Sequence, residues 1–238
     1  MSEWAAKRFW TLTGISALKD GYGVRLDGRP IRTPAKVPLV LPTRALAEAV
    51  AREWDAQDGV IDPQTMPLTR SANSAIDKVT PQYDSVAGIV SAYGDSDLLC
   101  YRAEGPEALQ QRQAALWDPL LRWAHQAHAA PLSVTSGVMH VGQDKDSLAR
   151  LDAAVRACSP WELTALHDLV ALSGSLVIGL AAAAGAFPAA ELWATSRVDE
   201  LWQQEQWGED DEATAQAALR EKGFLQAMHF LELVRESD

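Results

Sequence analysis

The sequence predicts an α+β fold, in which a small antiparallel β-rich N-terminal domain precedes a larger all-α C-terminal domain. Two observations lead to this prediction. Glycine turns and prolines divide the first 45 residues into short segments, whereas apolar residues at helical spacing dominate the chain beyond residue 80. We therefore predict two domains, residues 1–85 and residues 86–238. A length of 238 residues and a hydrophobic content of 47% are sufficient to bury a core.

Two Asp-Gly pairs predict tight hairpins in the N-terminal part. Glycine takes positive φ without a Cβ clash, so Asp20-Gly21 and Asp27-Gly28 favour turns. Between them Val24 and Leu26 alternate with polar neighbours, as in a half-buried strand. Prolines cannot donate to a β-ladder, and four of them keep the strands short: Pro30, Pro34, Pro38 and Pro42.

Helical spacing begins at Thr43, a plausible N-cap, after which Leu46, Val50 and Trp54 recur on one face. Ser159-Pro160-Trp161-Glu162 is typical of a capping box, and Asp118 before Pro119 indicates another helix start. Beyond residue 80 the predicted helices are 81–93, 106–117, 119–129, 144–157, 160–184, 189–207 and 211–234.

The charge excludes nucleic acid as a partner, because affinity for nucleic acid comes mainly from neutralising phosphates and this chain carries −11. The charge is uneven, at +5 through Arg44 and −16 beyond it.

Cys100 and Cys158 have no Cys-x-x-Cys spacing, which argues against a disulfide framework or a zinc ribbon. Residues 1–10 lack the apolar run of a signal peptide, so we expect a cytoplasmic protein.

Residues 169–187 carry no charge, which raises the possibility of a membrane span. Serine, alanine and glycine dilute the apolar content of this run, and no Lys or Arg flanks it. We predict a buried central helix rather than a membrane-spanning one. Peripheral binding to a membrane through this run stays open as an alternative.

The sequence predicts no catalytic residue, no metal site and no cofactor. His125 and His128 lie one helical turn apart, but nothing nearby supplies the further ligands that a metal requires. Gly21-Tyr22-Gly23 does not open a helix, so it is not a dinucleotide fingerprint. A distant Ser, His and Asp could still converge in space. The alternative function is therefore an enzyme or small-molecule-binding protein that uses a cleft between the domains, with His125, His128 or His167 in it.

An acidic stretch with two tryptophans, residues 197–212, is the strongest candidate site. It contains seven acids and one base. On a helix, Val198, Leu201 and Trp202 form an apolar stripe, while Asp199, Glu200 and Gln203 point outward; Gly208 ends the helix. The stretch is either a solvated face with capping acids or a partner-binding patch. The predicted patch consists of Asp199, Glu200, Trp202, Glu205 and Trp207.

Seven blocks of the chain, spread over nearly its whole length, are specific when taken together. They are RFW at 8–10, LDGRPIRTP at 26–34, EWDAQ at 53–57, MPLT at 66–69, DLLCYR at 97–102, WDPL at 117–120 and WG at 207–208. In this order they resemble the mitochondrial and alphaproteobacterial chaperone family that attends the alpha subunit during assembly of the ATP synthase F(1) sector.

The resemblance implies a binding protein without turnover, which holds the free alpha subunit and shields its inter-subunit surface from aggregation until the beta subunit arrives. It also implies that an acid in the helix before Trp207-Gly208 is important, and Asp199 and Glu200 both occupy that part. Trp54 is expected to serve packing. The mitochondrial relatives work in the matrix. This chain shows no transit segment before residue 8, so we expect a bacterial member. We also expect it to be cytoplasmic and monomeric.

Overall fold

A four-stranded antiparallel sheet forms from residues 13–41 in a computed structural model that describes residues 7–236. Its strands are β1 Thr13–Leu18, β2 Gly21–Leu26, β3 Arg29–Pro30 and β4 Val40–Leu41. β2 pairs with each of the other three. The predicted hairpins are confirmed. Asp27 and Gly28 both have positive φ, 47° and 79°, as a two-residue type I′ turn requires.

The helix α1, Arg44–Asp55, packs against β1 and β2. Thr43 caps it as predicted, because its hydroxyl oxygen accepts a hydrogen bond from the backbone N–H of Leu46 at 3.2 Å. Leu46 and Val50 are fully buried. Trp54 packs edge-on against Trp10 at 5.4 Å between ring centroids. The helix therefore covers one side of the sheet with the face that the sequence predicted.

Glu53, near the end of α1, caps the next helix, α2 Pro67–Ser74. Its carboxylate accepts from the backbone N–H groups of Leu68 and Thr69 at 2.7 and 2.8 Å, and from the Thr69 hydroxyl at 2.7 Å. Short turns continue the chain to residue 82: 3₁₀ turns at Pro63–Thr65 and Thr80–Gln82, and a π-helical turn at Ala75–Val79.

Helices make up most of the chain beyond residue 82. They are α3 Tyr83–Ala92, α4 Glu107–His128, α5 Lys145–Arg156, α6 Pro160–Ser173, α7 Leu176–Ala183, α8 Ala189–Ser196, α9 Val198–Trp207 and α10 Asp211–Arg235. Two short strands, β5 Tyr101–Arg102 and β6 Thr135–Ser136, pair in parallel. Every residue of α7 from Leu176 to Ala182 is buried, and α7 contacts α4 and α8. The α+β fold class is thereby confirmed.

Three helix boundaries differ from the prediction. The two helices predicted at 106–117 and 119–129 are one helix, α4 Glu107–His128, which passes through Pro119. Its buried face continues across the proline from Trp117 to Leu120, and that burial outweighs the cost of about 3 kcal/mol of an interior proline. Residues 160–184 form two helices, because Gly174 adopts φ +75° and Ser175 caps α7. Residues 189–207 are also two helices, interrupted at Arg197 without a glycine or proline.

The described residues divide into two units. One contains those up to Tyr83, Pro160–Thr164 and those from His229 onward; the other contains Asp84–Ser159 and Ala165–Met228. The predicted boundary between residues 85 and 86 stays a prediction, because a domain is defined by folding alone and compactness does not test that.

Within residues 7–236, no helix has both the length and the apolar content that crossing a bilayer requires. The uncharged run at 169–187 is the end of α6, the buried α7 and the turn that follows. The prediction about a signal peptide concerns residues 1–10, of which 1–6 lie outside the described residues.

Candidate functional site

The predicted partner-binding residues all lie on α9, which ends in an exposed tryptophan. Gly208, at φ +89°, ends the helix as predicted. Val198 is buried and anchors the start of α9. Trp207, the last residue of the helix, is 79% exposed. We refer to Asp199, Glu200, Leu201, Trp202, Glu205 and Trp207 as the α9 surface.

The predicted apolar stripe on α9 is partly wrong. Val198 is buried and Trp202 half-buried, but Leu201 is 42% exposed. Asp199 does not point outward either, because its carboxylate accepts a hydrogen bond from Gln113 Nε2 on α4 at 2.6 Å. Packing against α4 therefore rotates the helix so that Asp199 is half-buried and Leu201 faces outward.

Gln113 holds Asp199 from a fully buried position. Its amide nitrogen donates to Asp199, and its amide oxygen accepts from the backbone N–H of Ala103 at 2.9 Å. Both ends of the amide are thus occupied, which fixes the side chain in one orientation. The position of the Asp199 carboxylate is determined by the core of the helical unit.

Glu205 is held by a second residue of α4. Arg112 donates two parallel hydrogen bonds to its carboxylate, both at 2.8 Å, and its guanidinium lies 5.7 Å from the centre of the Trp202 ring. The hydrogen bonds from Arg112 lower the pKa of Glu205, and those to Glu205 raise the pKa of Arg112. The pair is exposed and contributes little to stability, but its bidentate geometry orients both side chains.

Glu200 pairs with a residue at the helix start. Arg197 Nη1 lies 2.7 Å from its carboxylate, and the same guanidinium lies 5.7 Å from the Trp193 ring. After Gly208, Asp210 accepts from the backbone N–H of Ala213 at 2.8 Å and begins α10. Four of the seven acids of the stretch therefore make a hydrogen bond or an ion pair within the chain: Asp199, Glu200, Glu205 and Asp210. Helix capping by acids was one of the two interpretations of this stretch.

The apolar groups of the α9 surface are left uncovered. Leu201 and Trp207 are exposed, and acids adjoin them along the chain at Glu200 and Glu209. A large exposed aromatic group in a charged stretch of chain is typical of a protein-binding surface, where tryptophan is among the residues that contribute most to affinity. The arrangement can bind an apolar surface that is bordered by basic groups.

Sequence reasoning missed Arg112 and Gln113. They lie 93 and 86 residues before their partners on α9, and no local pattern links them. The signal that was present is the helical spacing of α4, which places Gln113 among the apolar residues Leu109, Trp117 and Leu120. A glutamine at a core position predicts a buried hydrogen bond, but not its acceptor.

The three histidines of the alternative function have different surroundings. His125 lines a groove beside α4, His128 packs edge-on against Trp123, and His167 lies 3.0 Å from the carboxylate of its neighbour Asp168. Burial lowers the pKa of His128, and the hydrogen bond with Asp168 raises that of His167. In residues 7–236, no three His, Cys, Asp or Glu side chains are placed to hold a metal ion.

The comparisons with known proteins agree on one family. A family model described as ATP12 chaperone protein matches residues 7–125. Protein atp12, mitochondrial, from Schizosaccharomyces pombe is 22% identical in an alignment of 219 residues, and the match covers 87% of this chain and 75% of that protein.

Two solved structures are more similar in sequence to this chain than the Schizosaccharomyces pombe protein is. Atp12 from Paracoccus denitrificans is 53% identical, with a TM-score of 0.95 over 98% of this chain and 100% of that one. The Atu1473 protein from Agrobacterium tumefaciens is 41% identical, with a TM-score of 0.92 over 96% of this chain and 86% of that one. The range matched by the family model includes Arg112 and Gln113, whereas α9 lies beyond it.

Proposed function

The chain belongs to the ATP12 chaperone protein family of ATP synthase assembly chaperones, and from that premise we propose that it binds the free alpha subunit of the F(1) sector. In this role it shields the inter-subunit surface of alpha until the beta subunit arrives. An isolated subunit of a ring exposes an apolar interface, which is an aggregation hazard. Covering that interface involves no bond made or broken.

The exposure of Trp207 is the observation that carries the proposal. An indole that is 79% exposed at the end of a helix gains little from folding, because almost none of its apolar area leaves water. The same indole gains most of that burial when a partner covers it. Leu201, on the same helix, extends the apolar area.

The acids of α9 contribute specificity to this contact. Gln113 and Arg112 fix Asp199 and Glu205 before any partner arrives, so little side-chain freedom is lost on binding. The Asp199 carboxylate is held by a neutral amide and not by a cation, so it can attract a basic border on the partner and repel an acidic one. Such charges give specificity and a faster association more than affinity. A chaperone needs this balance, since it must release its client to the correct partner.

Capture of purified alpha and beta subunits by the immobilised chain tests the proposal. We expect alpha to be captured and beta not. Asp199→Lys and Glu200→Lys should weaken capture of alpha while the circular dichroism spectrum is unchanged. Asp58→Lys is the matched control: this exposed loop residue makes no side-chain hydrogen bond or ion pair in the described chain, and its reversal should leave capture intact. Capture of neither subunit by the unmodified chain refutes the proposal.

Trp207→Ala tests the contact itself. We expect the Kd for alpha to rise roughly thirtyfold, equivalent to about 2 kcal/mol, because truncating an aromatic group at the centre of an interface has this effect. The melting temperature should not change, since the side chain packs on little of its own protein. Phe9→Ala, at another exposed aromatic residue, is the control. Equal affinities for the Trp207 and Phe9 variants would contradict this role of α9.

We also propose that the protein is a monomer of the bacterial cytoplasm. Two of the similar structures come from bacteria, whereas the Schizosaccharomyces pombe relative is mitochondrial. Light scattering on the eluting protein measures its mass, and fractionation of the source cell measures its compartment. A stable dimer or a membrane-bound pool would refute the corresponding statement.

A further inference from the structure

A groove of about 620 Å³ lies between α4 and the chain segment that follows it. Its apolar lining comes from Leu121 on α4 and from Pro131, Leu132 and Val134 beyond the helix. The groove belongs to the same unit as α9, but shares no residue with the α9 surface. An apolar groove of this size can accept several side chains of a bound segment.

A hydrophobic loop, residues 137–142, follows the groove-lining segment. Val138 and Met139 at its tip are 94% and 78% exposed, so little of either side chain is covered by the rest of the described chain. Val134 lines the groove and lies four residues before Val138 of the hydrophobic loop. Groove and loop are therefore neighbours along the chain.

The loop is anchored, so its exposed side chains are not the result of a loose segment. The backbone N–H of Gly137 donates to the carbonyl of Arg102 at 2.8 Å. The His140 ring lies 3.1 Å from the Tyr101 hydroxyl and 3.4 Å from the Asp95 carboxylate.

The base of the loop is also closed. The Gln143 side chain bonds to both the N–H and the carbonyl of Ser133, at 2.7 and 2.9 Å. Fixing the backbone of a loop before binding lowers the entropy cost of association. The loop therefore has the preorganisation of a contact surface.

The charge beside the groove identifies the chemistry of the occupant. Asp118 is paired with Arg102 at 2.8 Å, which neutralises the acid that lines the groove. Arg122 also lines the groove and has no hydrogen-bond or ion-pair partner within residues 7–236. In a chain of net charge −11, an unpaired arginine beside apolar side chains favours a ligand that is apolar and carries a carboxylate.

We propose that the groove and the hydrophobic loop bind an apolar segment of the alpha subunit that carries an acidic side chain, as a second contact separate from the α9 surface. This inference rests on the proposed function. Methionine adapts to irregular apolar surfaces, which suits a client that is not yet in its final assembly. A bilayer is disfavoured as the occupant, because anionic lipid attracts clusters of basic residues and this chain is acidic.

Binding of purified alpha to full-length variants tests the inference. We expect Val138→Ser with Met139→Ser to weaken binding at least about tenfold, since large apolar groups at the centre of an interface dominate its affinity. Arg122→Glu should weaken it as well. Val138→Ile with Met139→Leu keeps the apolar character and should keep the affinity. Ile89→Ser is the matched control, an exposed apolar residue on α3 of the same unit, and should bind as the unmodified chain does.

Photo-crosslinking identifies the occupant directly. With p-benzoylphenylalanine in place of Met139, we expect a crosslink to an apolar segment of alpha that contains Asp or Glu. A crosslink to a second copy of this chain, or flotation with phosphatidylserine vesicles that the Val138/Met139 serine variant loses, overturns the inference. If Trp207→Ala weakens capture and the serine variant does not, only this inference fails. If the unmodified chain does not capture alpha, the proposed function fails and the inference falls with it.

Discussion

Asp97 is a fully buried acid at the junction of two elements in the helical unit. Its carboxylate accepts hydrogen bonds from the backbone N–H of Leu99, the hydroxyl of Ser175 and the backbone N–H of Val177, at 3.0, 2.7 and 3.0 Å. Burial raises the pKa of Asp97 to about 6, against the opposing effect of these hydrogen bonds. One side chain thus joins the turn Leu98–Cys100 to the start of α7.

Asp97→Ala should lower the free energy of unfolding by about 3 kcal/mol, because buried donors lose their acceptor and the side chain leaves a void. Urea unfolding followed by circular dichroism measures the change. Asp58→Ala, at an exposed loop position, is the control and should change stability by less than about 0.5 kcal/mol. A loss below about 1 kcal/mol at position 97 would show that water or a rearranged serine replaces the carboxylate.

The pH dependence of the same comparison reports the ionisation of Asp97. Its pKa is raised in the folded state, to about 6 from an ordinary value of 3.8, so the folded protein binds the proton more tightly. The stability contributed by the protonated acid is fully present below about pH 4 and lost as the pH rises to about 6. The stability advantage of the unmodified chain over Asp97→Ala should therefore shrink by about 1 to 3 kcal/mol between those values. An advantage that grows over this interval would mean that the hydrogen bonds outweigh burial.

At the scale of elements, α6 and α7 approach closely at Gly179. A Cβ at that position would lie 2.4 Å from Val170 Cγ2 and 3.3 Å from Leu166 Cδ1, both on α6. Real Cβ atoms do not come within 2.4 Å of a methyl carbon, so a larger residue would force the two helices apart. Gly88 on α3 is different, since a Cβ there would have no atom within 4 Å.

These two glycines give a matched pair of alanine substitutions. Gly179→Ala should lower the free energy of unfolding by about 1 to 3 kcal/mol through overpacking. Gly88→Ala should raise it by about 0.5 to 1 kcal/mol, because alanine favours the helix and restricts the unfolded chain. Urea unfolding of both variants measures the difference. Stabilisation at both positions would show that α6 and α7 can separate without loss of packing.

Local signals predicted many of the element boundaries, and long-range packing explains the failures. Thr43 and Gly208 act through hydrogen bonds and φ angles of their own segments, so the sequence revealed them. The break at Gly174 had such a signal in Ser173-Gly174-Ser175, but the uncharged run concealed it. Pro119 lies inside α4 because burial on both sides of it outweighs a local preference, and no local pattern contains that information.

At the scale of the whole molecule, the sequence predicted part of the α9 surface. It placed the predicted acids and tryptophans on one helix with Trp207 at its end. It did not reveal Arg112 and Gln113, whose contacts depend on how α4 and α9 meet. The hydrophobic loop had a visible signal, Val138-Met139 next to Gly137, yet short apolar runs usually indicate buried segments. Their exposure follows from anchoring by residues as distant as Asp95.

The net charge of −11 should make association with the alpha subunit dependent on salt if the proposed function is right. Between about 0.05 and 0.5 M NaCl the screening length falls below the separation of approaching surfaces, so steering by the acidic chain weakens. We expect the association rate constant to fall about tenfold and the dissociation rate constant to change much less.

Trp207→Ala should instead raise the dissociation rate constant and leave the salt dependence of association unchanged, because the contact of Trp207 forms after encounter. Stopped-flow binding measures both constants. A rise in association rate with salt would mean that like charges face each other in the complex, and the acids of α9 would then lie outside the contact.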